Sequence, residues 1–397
     1  MGIVPSGIYI SVPFCRTKCT YCNFASDVFS RAVFERYVDR LCADIGDAVN
    51  VATQMGGRFE PEVESVYLGG GTPTVLEADQ LQRTFDAVRR SFSIRKDAEI
   101  TVECAPGTLT SSMLDTLIRC GVNRVSLGVQ SFVDAEAAAI GRLHKRQTVH
   151  DDIARLRDAG IVNINIDLIA GLPHQTPDSW RESLAQTTAA GVPHVSVYML
   201  EVDEDSRLGR ELMAGGTRYH AHFVPNEDAI ADFYGSACET LESERIAQYE
   251  ISNFAREGFQ SRHNLKYWTR QPYLGFGVDA HSMLLSADAS LDAIRFSTSD
   301  VLEKYVAGAP LARTPVSAAT ALEEALFLGL RLNRGVNLRE LASQFGDAAV
   351  GNLHPVFEDL VATGLMQRSG GQISLSESGR LLSNEVFQSF VTVPDAN

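Results

Sequence analysis

The 397-residue chain lacks the features that mark membrane, secreted and nucleic-acid-binding proteins. No window reaches about 18 uninterrupted apolar residues, and no charged leader followed by an apolar stretch opens the chain. The sequence therefore predicts neither a membrane span nor a secretory signal. The formal charge is −15 and no stretch clusters Lys and Arg, so we expect no nucleic-acid partner. Together these absences predict a soluble, cytoplasmic protein.

Disulfide-type spacing is absent as well. Seven cysteines, an odd number without regular pairing through the body of the chain, fit a reducing compartment. Three of them are crowded into eight residues, where Cys15, Cys19 and Cys22 form Cys-x₃-Cys-x₂-Cys. Only four cysteines lie elsewhere, so this crowding is not a random scatter.

Three thiolates on one short loop can hold three irons of a [4Fe–4S] cluster and leave the fourth iron open to a small-molecule ligand. A structural zinc site would need a fourth nearby Cys or His to complete a tetrahedron. Phe24 stands where a fourth cysteine could closely follow. Surface thiols without a ligand are the remaining alternative. The spacing favours the cluster over both.

From the start to about residue 200, β-branched apolar runs alternate with amphipathic stretches. The predicted strands are residues 7–12, 65–68, 98–103, 124–129, 163–168 and 194–199. The predicted helices between them are residues 32–49, 78–91, 111–119, 149–159 and 179–189. Serial β-α units of this kind predict an α/β fold with a parallel sheet and helices outside it. Six units are fewer than the eight that would indicate a closed (β/α)₈ barrel.

Polar or glycine-rich segments follow several of these strands. Reactive groups of parallel α/β folds lie at the carboxyl ends of strands, and the cysteine loop itself follows the first strand. Glycines after the second strand allow backbone groups to approach a ligand, although a tight turn alone would also explain them. The segments concerned are Gly69-Gly70-Gly71-Thr72-Pro73 after the second strand, Glu103 after the third, Gln130 after the fourth and Asp167 after the fifth.

Glu103 and Asp167 are candidate site residues because a carboxylate at an apolar strand end is costly unless it is paired or binds a ligand. A helix N-cap or a surface ion pair is the alternative for each. Arg142 is a permanent cation that can hold a carboxylate through two hydrogen bonds. Tyr21, inside the cysteine run, is placed to cover a flat ring.

Cys-x₃-Cys-x-aromatic-Cys, with Tyr21 as the aromatic residue, resembles the signature of the radical S-adenosylmethionine superfamily. The resemblance implies a partial (β/α)₆ barrel and a [4Fe–4S] cluster whose open iron chelates the methionine moiety of S-adenosylmethionine. Within the superfamily, the chain resembles the HemN/HemW subfamily of coproporphyrinogen III oxidase-like proteins from about residue 7 onward. Its positions matching S-adenosylmethionine contacts of that subfamily are Tyr9, Gly70, Gly71, Thr72, Glu103, Gln130, Arg142 and Asp167.

Two activities are implied by this subfamily: heme chaperone, or oxygen-independent coproporphyrinogen III dehydrogenase. Phe24 replaces a fourth cysteine of the dehydrogenase branch, and that branch's long N-terminal arm has no counterpart before residue 7. Residues 263–268 match the His-Asn-x-x-Tyr-Trp motif of the chaperone branch, whose His263, Tyr267 and Trp268 could ligate and stack on heme. An aromatic corner that packs one part of the chain on another is the alternative for this motif.

The resemblance therefore favours a chaperone that binds heme and delivers it to acceptor hemoproteins, for which respiratory proteins at the membrane are the candidates. We do not expect coproporphyrinogen III dehydrogenase activity, which remains the alternative; radical chemistry on another substrate is a third. The sequence leaves open whether the chain forms a homodimer.

Three regions are predicted: a barrel core over residues 1–205, a mixed α+β accessory segment over 206–310 that carries the His-Asn-x-x-Tyr-Trp motif, and a C-terminal module over 311–397. Helical patterns at 318–332, 338–345 and 354–363 precede a hairpin around Gly370-Gly371. This order resembles the winged-helix C-terminal domain of the subfamily. The module has no basic recognition face, so we expect it to dock on the barrel rather than bind DNA.

Overall fold

A computed structural model describes residues 4–391 as one large mixed sheet flanked by helices and one small sheet near the C-terminus. Its strands are β1 Ser6–Val12, β2 Gly57–Arg58, β3 Glu62–Gly70, β4 Ser93–Cys104, β5 Arg124–Gln130, β6 Asn163–Ala170, β7 His194–Met199, β8 Ala247–Glu250, β9 Asn253–Ala255, β10 Tyr273–Gly277, β11 His281–Ser286, β12 Ala293–Ser297, β13 Ala312–Val316, β14 Val336–Asn337, β15 Met366–Ser369 and β16 Gln372–Leu375. Its helices are α1 Arg31–Gly46, α2 Ala48–Met55, α3 Ala78–Ser91, α4 Ser111–Arg119, α5 Asp134–Ala139, α6 Arg146–Asp158, α7 Pro177–Ala189, α8 Arg207–Ala214, α9 Glu227–Ser243, α10 Arg262–Trp268, α11 Leu302–Val306, α12 Ala318–Gly329, α13 Leu338–Phe345, α14 Asp347–Gly351, α15 His354–Ala362, α16 Glu377–Leu381 and α17 Ser383–Gln388. Within residues 4–391, no helix combines the length and apolar character that crossing a bilayer requires.

The centre of the large sheet consists of the six strands predicted from the sequence. They run in the order β1-β3-β4-β5-β6-β7, and every neighbouring pair is parallel. Crossover helices pack against the sheet and bury the apolar residues that alternate with polar ones along each strand, which places the main core between helices and sheet. This confirms the predicted α/β fold class and the partial (β/α)₆ barrel.

The helix boundaries follow local capping chemistry. The predicted helix 32–49 is divided into α1 and α2 at Asp47, and α4 begins after Thr110, whose hydroxyl accepts a hydrogen bond from the Met113 N–H at 3.1 Å. α7 begins after Thr176, whose hydroxyl accepts from the Ser179 N–H at 3.2 Å. Gly160 adopts a φ of 91° just after α6, the left-handed conformation that ends helices.

The accessory segment extends both edges of the same sheet. β10 pairs with β1 in parallel and leads through antiparallel pairings to β11, β12 and β13, while β9 and β8 continue antiparallel from β7. β13 belongs to the large sheet, although its residues fall inside the region predicted as the C-terminal module. The start of that module at residue 311 stays a prediction.

The C-terminal module has its own apolar core and the small sheet β14-β16-β15. The hairpin predicted around Gly370-Gly371 is formed by β15 and β16, and helices α12, α13 and α15 match the predicted helical stretches. The structure adds α16 and α17 after the hairpin.

Helix α10 closes the end of the barrel at which the strands begin. The Glu99 carboxylate accepts hydrogen bonds from the backbone N–H groups of Arg262 at 3.0 Å and His263 at 3.1 Å. Lys266, 2 % exposed, forms an ion pair with Glu64 and donates to the carbonyl of Pro5 at 2.7 Å. A carboxylate at a helix N-terminus compensates the partial positive charge there. The segment with the predicted aromatic motif is therefore anchored inside the barrel.

Candidate functional site

A cavity of about 810 Å³ lies at the carboxyl ends of the parallel strands, where the sequence predicted the reactive groups. Its lining unites eleven predicted residues that are far apart in the chain. They are Cys15, Cys19, Tyr21, Cys22, Gly70, Gly71, Thr72, Glu103, Gln130, Arg142 and Asp167.

The cysteine loop is held in place by its own backbone and by one lysine. The Cys15 N–H donates to the Asp27 carbonyl at 3.0 Å, and the Cys22 N–H donates to the Cys19 carbonyl at 3.3 Å. Lys18 donates to the carbonyls of Phe24 at 2.7 Å and Ser26 at 2.6 Å, which closes the loop into a compact turn. The backbone of the loop that carries the three thiols is therefore held in place by hydrogen bonds.

Among residues 4–391, no three His, Cys, Asp or Glu side chains converge closely enough to hold one metal ion. The three thiols border one cavity without meeting at a point. A mononuclear zinc ion needs its ligands around a single centre, whereas each thiolate of a [4Fe–4S] cluster binds a different iron. The spread of the thiols thus fits the cluster better than zinc.

The glycine run after β3 packs tightly under this loop. The Gly71 N–H donates to the Val12 carbonyl at 2.8 Å, and a Cβ on Gly71 would lie 2.7 Å from the Phe14 carbonyl oxygen. The Thr72 N–H donates to the same Phe14 carbonyl at 2.7 Å, and the Thr72 hydroxyl lies 4.0 Å from the Cys15 sulfur. Gly71 is therefore required for the close approach of β3 to the cysteine loop, and the turn has a structural role whether or not a ligand also contacts it.

Arg142 reaches across the cavity to the cluster loop. Its Nη1 lies 3.6 Å from the Cys19 sulfur, and its Nη2 donates to the Gly128 carbonyl. Burial alone would lower the pKa of Arg142, but the neighbouring Cys19 and Tyr21 raise it above the ordinary value. Its Nε is buried without a hydrogen-bond partner among the described residues. This leaves one donor of a permanent cation available to an anionic ligand.

Glu103 lies against the glycine run, where a Cβ on Gly69 would be 2.7 Å from the Glu103 Oε1, and Asp167 lies two strands further along the sheet. Burial raises the pKa of Glu103 to about 7, although a hydrogen bond from the Tyr67 hydroxyl at 2.7 Å acts to lower that pKa. Burial also raises the pKa of Asp167, whose Oδ1 accepts from Asn165 at 2.7 Å and whose Oδ2 accepts from Ser126 at 3.1 Å. Neither carboxylate is a helix N-cap or a surface ion pair. Both are half-buried acceptors that line the cavity, which suits the recognition of hydroxyl or amino groups.

Gln130 closes β5 with a φ of 69°, an unusual conformation for a residue with a side chain. The pairing of β5 with β6 shifts register between Gly128 and Gln130. Such bulges re-aim side chains near functional sites. Here the bulge coincides with the entry of Gln130 into the lining of the cavity.

A second chamber of about 390 Å³ adjoins the first. The two share Phe24, Ser26 and Gly70, so the cluster loop is their common border. Tyr9, predicted as an S-adenosylmethionine contact, lines this second chamber and not the larger one. The other lining residues are Ser11, Pro13, Ala25, Tyr267, Tyr273, Asp279 and His281.

The three residues of the predicted heme motif have separate surroundings. His263 is 1 % exposed, with Nδ1 2.9 Å from the Ser65 hydroxyl and Nε2 2.8 Å from the Tyr267 hydroxyl. Burial lowers the pKa of His263 to about 3. Trp268 packs under the guanidinium of Arg331, 4.4 Å from the ring centre. In this geometry both ring nitrogens of His263 have hydroxyl partners. The heme-ligand role of His263 stays a prediction, beside the alternative of an aromatic corner.

Several residues of the larger cavity were not predicted. Tyr198 occupies the inward position at the end of β7, so the strand-end rule that selected Glu103 could have found it. Arg331, Leu381, Ser383 and Asn384 come from the C-terminal module. No local pattern in the sequence indicates that this module forms one wall of the cavity.

Comparison with known proteins agrees with this architecture. The radical SAM superfamily model matches residues 9–186, and the HemN C-terminal domain model matches residues 316–382. The chain is 34% identical over 386 residues to "Heme chaperone HemW" of Bacillus subtilis, covering 96% of this chain and 98% of that protein. It is 31% identical over 392 residues to the protein of the same name from Lactococcus lactis, covering 98% and 97%.

Among solved structures, coproporphyrinogen III oxidase (HemN) of Escherichia coli superposes with a TM-score of 0.82 at 23% identity, covering 98% of this chain and 90% of that one. At this identity the match establishes the fold alone. The full-length identity to the curated relatives goes further, and by it the chain belongs to the HemW family of the radical SAM superfamily.

Proposed function

We propose that this protein is a heme chaperone, which binds heme and delivers it to acceptor hemoproteins on a scaffold that carries a [4Fe–4S] cluster and S-adenosylmethionine. The observation that carries the proposal is the aromatic chamber beside the cluster loop, lined by Tyr9, Phe24, Tyr267 and Tyr273. Aromatic faces in a partly open cavity suit a flat, apolar macrocycle that must be released again. The names of the full-length relatives agree with this activity.

The larger cavity fits the two cofactors. Cys15, Cys19 and Cys22 would hold three irons of the cluster, whose open iron would anchor the amino and carboxylate groups of S-adenosylmethionine. Arg142 offers its free Nε to the carboxylate. Asp167 offers carboxylate oxygens to the ribose hydroxyl groups, and the remaining contacts fall to Tyr21, Gly70, Gly71, Thr72, Glu103 and Gln130.

The alternative is coproporphyrinogen III dehydrogenase activity, which the resemblance to the HemN/HemW subfamily also implies. Phe24 stands where the dehydrogenase branch has a further cysteine, and its side chain is 64 % exposed. An exposed phenylalanine supplies no thiol, but it supplies an apolar face to a heme in the adjoining chamber. Phe24 therefore favours the chaperone.

The acceptors are proposed to be hemoproteins of the respiratory membrane. The protein need not enter the bilayer for this role, since a transient surface encounter is enough to pass on a ligand that is exposed at one edge. The chamber's open side would present that edge. Homodimer formation remains a proposal of the resemblance.

One experiment separates the two activities. Cluster-loaded protein is incubated with hemin, and separately with coproporphyrinogen III, S-adenosylmethionine and a reductant. The chaperone predicts a stoichiometric heme complex that transfers heme to an apo-hemoprotein, and no protoporphyrinogen. Turnover of coproporphyrinogen without stable heme binding would establish the alternative.

A further inference from the structure

Resting on the proposed heme-chaperone function, we infer that the heme iron is ligated in the second chamber by His281. This assigns the iron ligand to the first residue of β11 instead of the aromatic motif of α10. The heme plane would lie between the tyrosines of the chamber and Phe24 of the cluster loop. Four structural observations lead to this assignment.

The first observation is that His281 is the only histidine in the lining of the second chamber, among the described residues. Its side chain is 68 % exposed, and neither ring nitrogen holds a hydrogen bond within residues 4–391. Neutral imidazole binds iron through an available nitrogen lone pair. His281 therefore has a ring nitrogen available to iron, whereas both ring nitrogens of the buried His263 hold hydrogen bonds.

The second observation concerns a supporting carboxylate. The Asp279 Oδ1 lies 3.6 Å from the His281 Nε2, just beyond hydrogen-bond length, and Asp279 also lines the chamber. Histidine ligands of metals characteristically donate their second ring N–H to a carboxylate, which orients the ring and raises its basicity. A rotation of the exposed imidazole would direct one nitrogen to iron and the other to Asp279.

The third observation is that the backbone of His281 is fixed although its side chain is free. A Cβ on Gly275 would lie 2.1 Å from the His281 carbonyl oxygen, so β10 and the start of β11 are in contact there. The Gly275 N–H donates to the Ser282 hydroxyl at 2.9 Å, and the Ala280 N–H donates to the Thr298 hydroxyl at 2.9 Å. A backbone held by hydrogen bonds, with an exposed imidazole, suits a ligand that must bind and release iron.

The fourth observation disfavours the chamber's phenols as anionic ligands. Burial raises the pKa of Tyr9, Tyr267 and Tyr273 above the ordinary value. These phenols stay protonated near neutral pH, and tyrosine binds ferric iron as the phenolate. The tyrosines are thus left to stack on the macrocycle, and the imidazole is left to bind its iron.

The test uses full-length, cluster-loaded protein titrated with hemin and followed by the Soret band and by electron paramagnetic resonance. His281→Ala should weaken hemin binding at least roughly tenfold. Removing a group that only supports a metal ligand already causes a loss of that size, and this substitution removes the ligand itself. It should also change the axial-ligand signature, and added imidazole should restore that signature. Phe24→Ala should weaken binding while leaving the signature of the axial ligand unchanged.

His354→Ala is the matched control, because it removes an exposed histidine from the C-terminal module. It should leave both affinity and spectrum as in the parent protein. Unchanged hemin affinity and spectrum in His281→Ala would overturn the assignment while leaving the chaperone function intact. Failure of the unsubstituted protein to bind hemin would instead overturn the proposed function itself.

Discussion

The Tyr67 hydroxyl donates a hydrogen bond of 2.7 Å to the Glu103 Oε1, deep in the barrel and beside the predicted S-adenosylmethionine site. This bond favours the ionised carboxylate, yet burial outweighs it and raises the pKa of Glu103 to about 7. Glu103 thus changes its charge near neutral pH, which makes its ionisation measurable.

Glu103→Gln should stabilise the ligand-free protein at pH 8.5 and leave its stability nearly unchanged at pH 4. A raised carboxyl pKa favours the folded state fully below the unfolded value near 4.5, and that contribution is lost as pH rises through 7. The shift in the pKa of Glu103 corresponds to a change of about 3 kcal/mol at most in the free energy of unfolding. Denaturant titrations at several pH values measure it, with exposed Glu204→Gln as control. A stability difference independent of pH would contradict the raised pKa.

Replacing Cys15, Cys19 and Cys22 together by Ala should abolish about four irons and four sulfides per chain after anaerobic reconstitution. The measurement is iron and sulfide content together with the broad brown absorbance. Cys42→Ala is the control, because Cys42 is half-buried on α1 and does not line the cavity. Undiminished iron and sulfide in the triple variant would refute the cluster assignment.

Asp167→Asn should weaken S-adenosylmethionine binding to the cluster-loaded protein by roughly 1–3 kcal/mol, because a neutral amide replaces a charged hydrogen-bond acceptor. Isothermal titration calorimetry gives the affinity. Asp178→Asn on α7, whose side chain is 91 % exposed, should bind like the parent protein. Equal affinity in both variants would place the ribose contact elsewhere.

His263→Gln should flatten the loss of stability in acid. Burial, reinforced by Lys266 and Arg124, lowers the pKa of His263 to about 3, so the folded protein keeps the ring neutral. The unfolded chain takes up a proton below about pH 6.5, so this contribution is full above 6.5 and is lost as pH falls toward 3. The substitution should reduce the pH dependence of the free energy of unfolding by at most about 1.4 kcal/mol per pH unit. Denaturant unfolding between pH 7 and 4 measures it, and an unaltered slope would argue against the buried, neutral ring.

Arg270→Ala should loosen the C-terminal module from the barrel. Arg270 is nearly buried and joins Asp292, the residue before β12, at 2.9 Å to Glu324 of α12 at 3.0 Å. The substitution leaves Asp292 without its cation and Glu324 with Arg295 alone, at 3.1 Å. The cost should therefore be less than the about 3–5 kcal/mol that follows when a buried charge loses its only partner. Limited proteolysis and hydrogen exchange near α12 detect the change. Arg181→Ala, which breaks an exposed pair with Asp178, should leave the same probes unaffected.

The sequence by itself determined the periodic and local features. Alternation of β-branched apolar runs with amphipathic stretches predicted the six parallel strands, because each strand needs apolar residues on the face that the crossover helices cover. The cysteine spacing and the glycine run lie within single loops, so their chemistry depends on neighbours in the chain. The strand-end rule then brought Glu103, Gln130 and Asp167 to one edge of the sheet, since carboxyl ends of parallel strands face the same way.

Only the tertiary structure decided which side of each motif faces a cavity. His263 and Tyr267 are four residues apart on one helix, yet α10 inserts its histidine into the barrel, where Ser65 occupies one ring nitrogen, and leaves the tyrosine at the chamber. No pattern in the sequence indicated the strand that begins at His281. His281 and Phe24 line the same chamber, although more than half of the chain lies between them. Such contacts depend on how distant elements pack, because burial and the competition for hydrogen-bond partners are set by the whole fold and not by residues nearby in sequence.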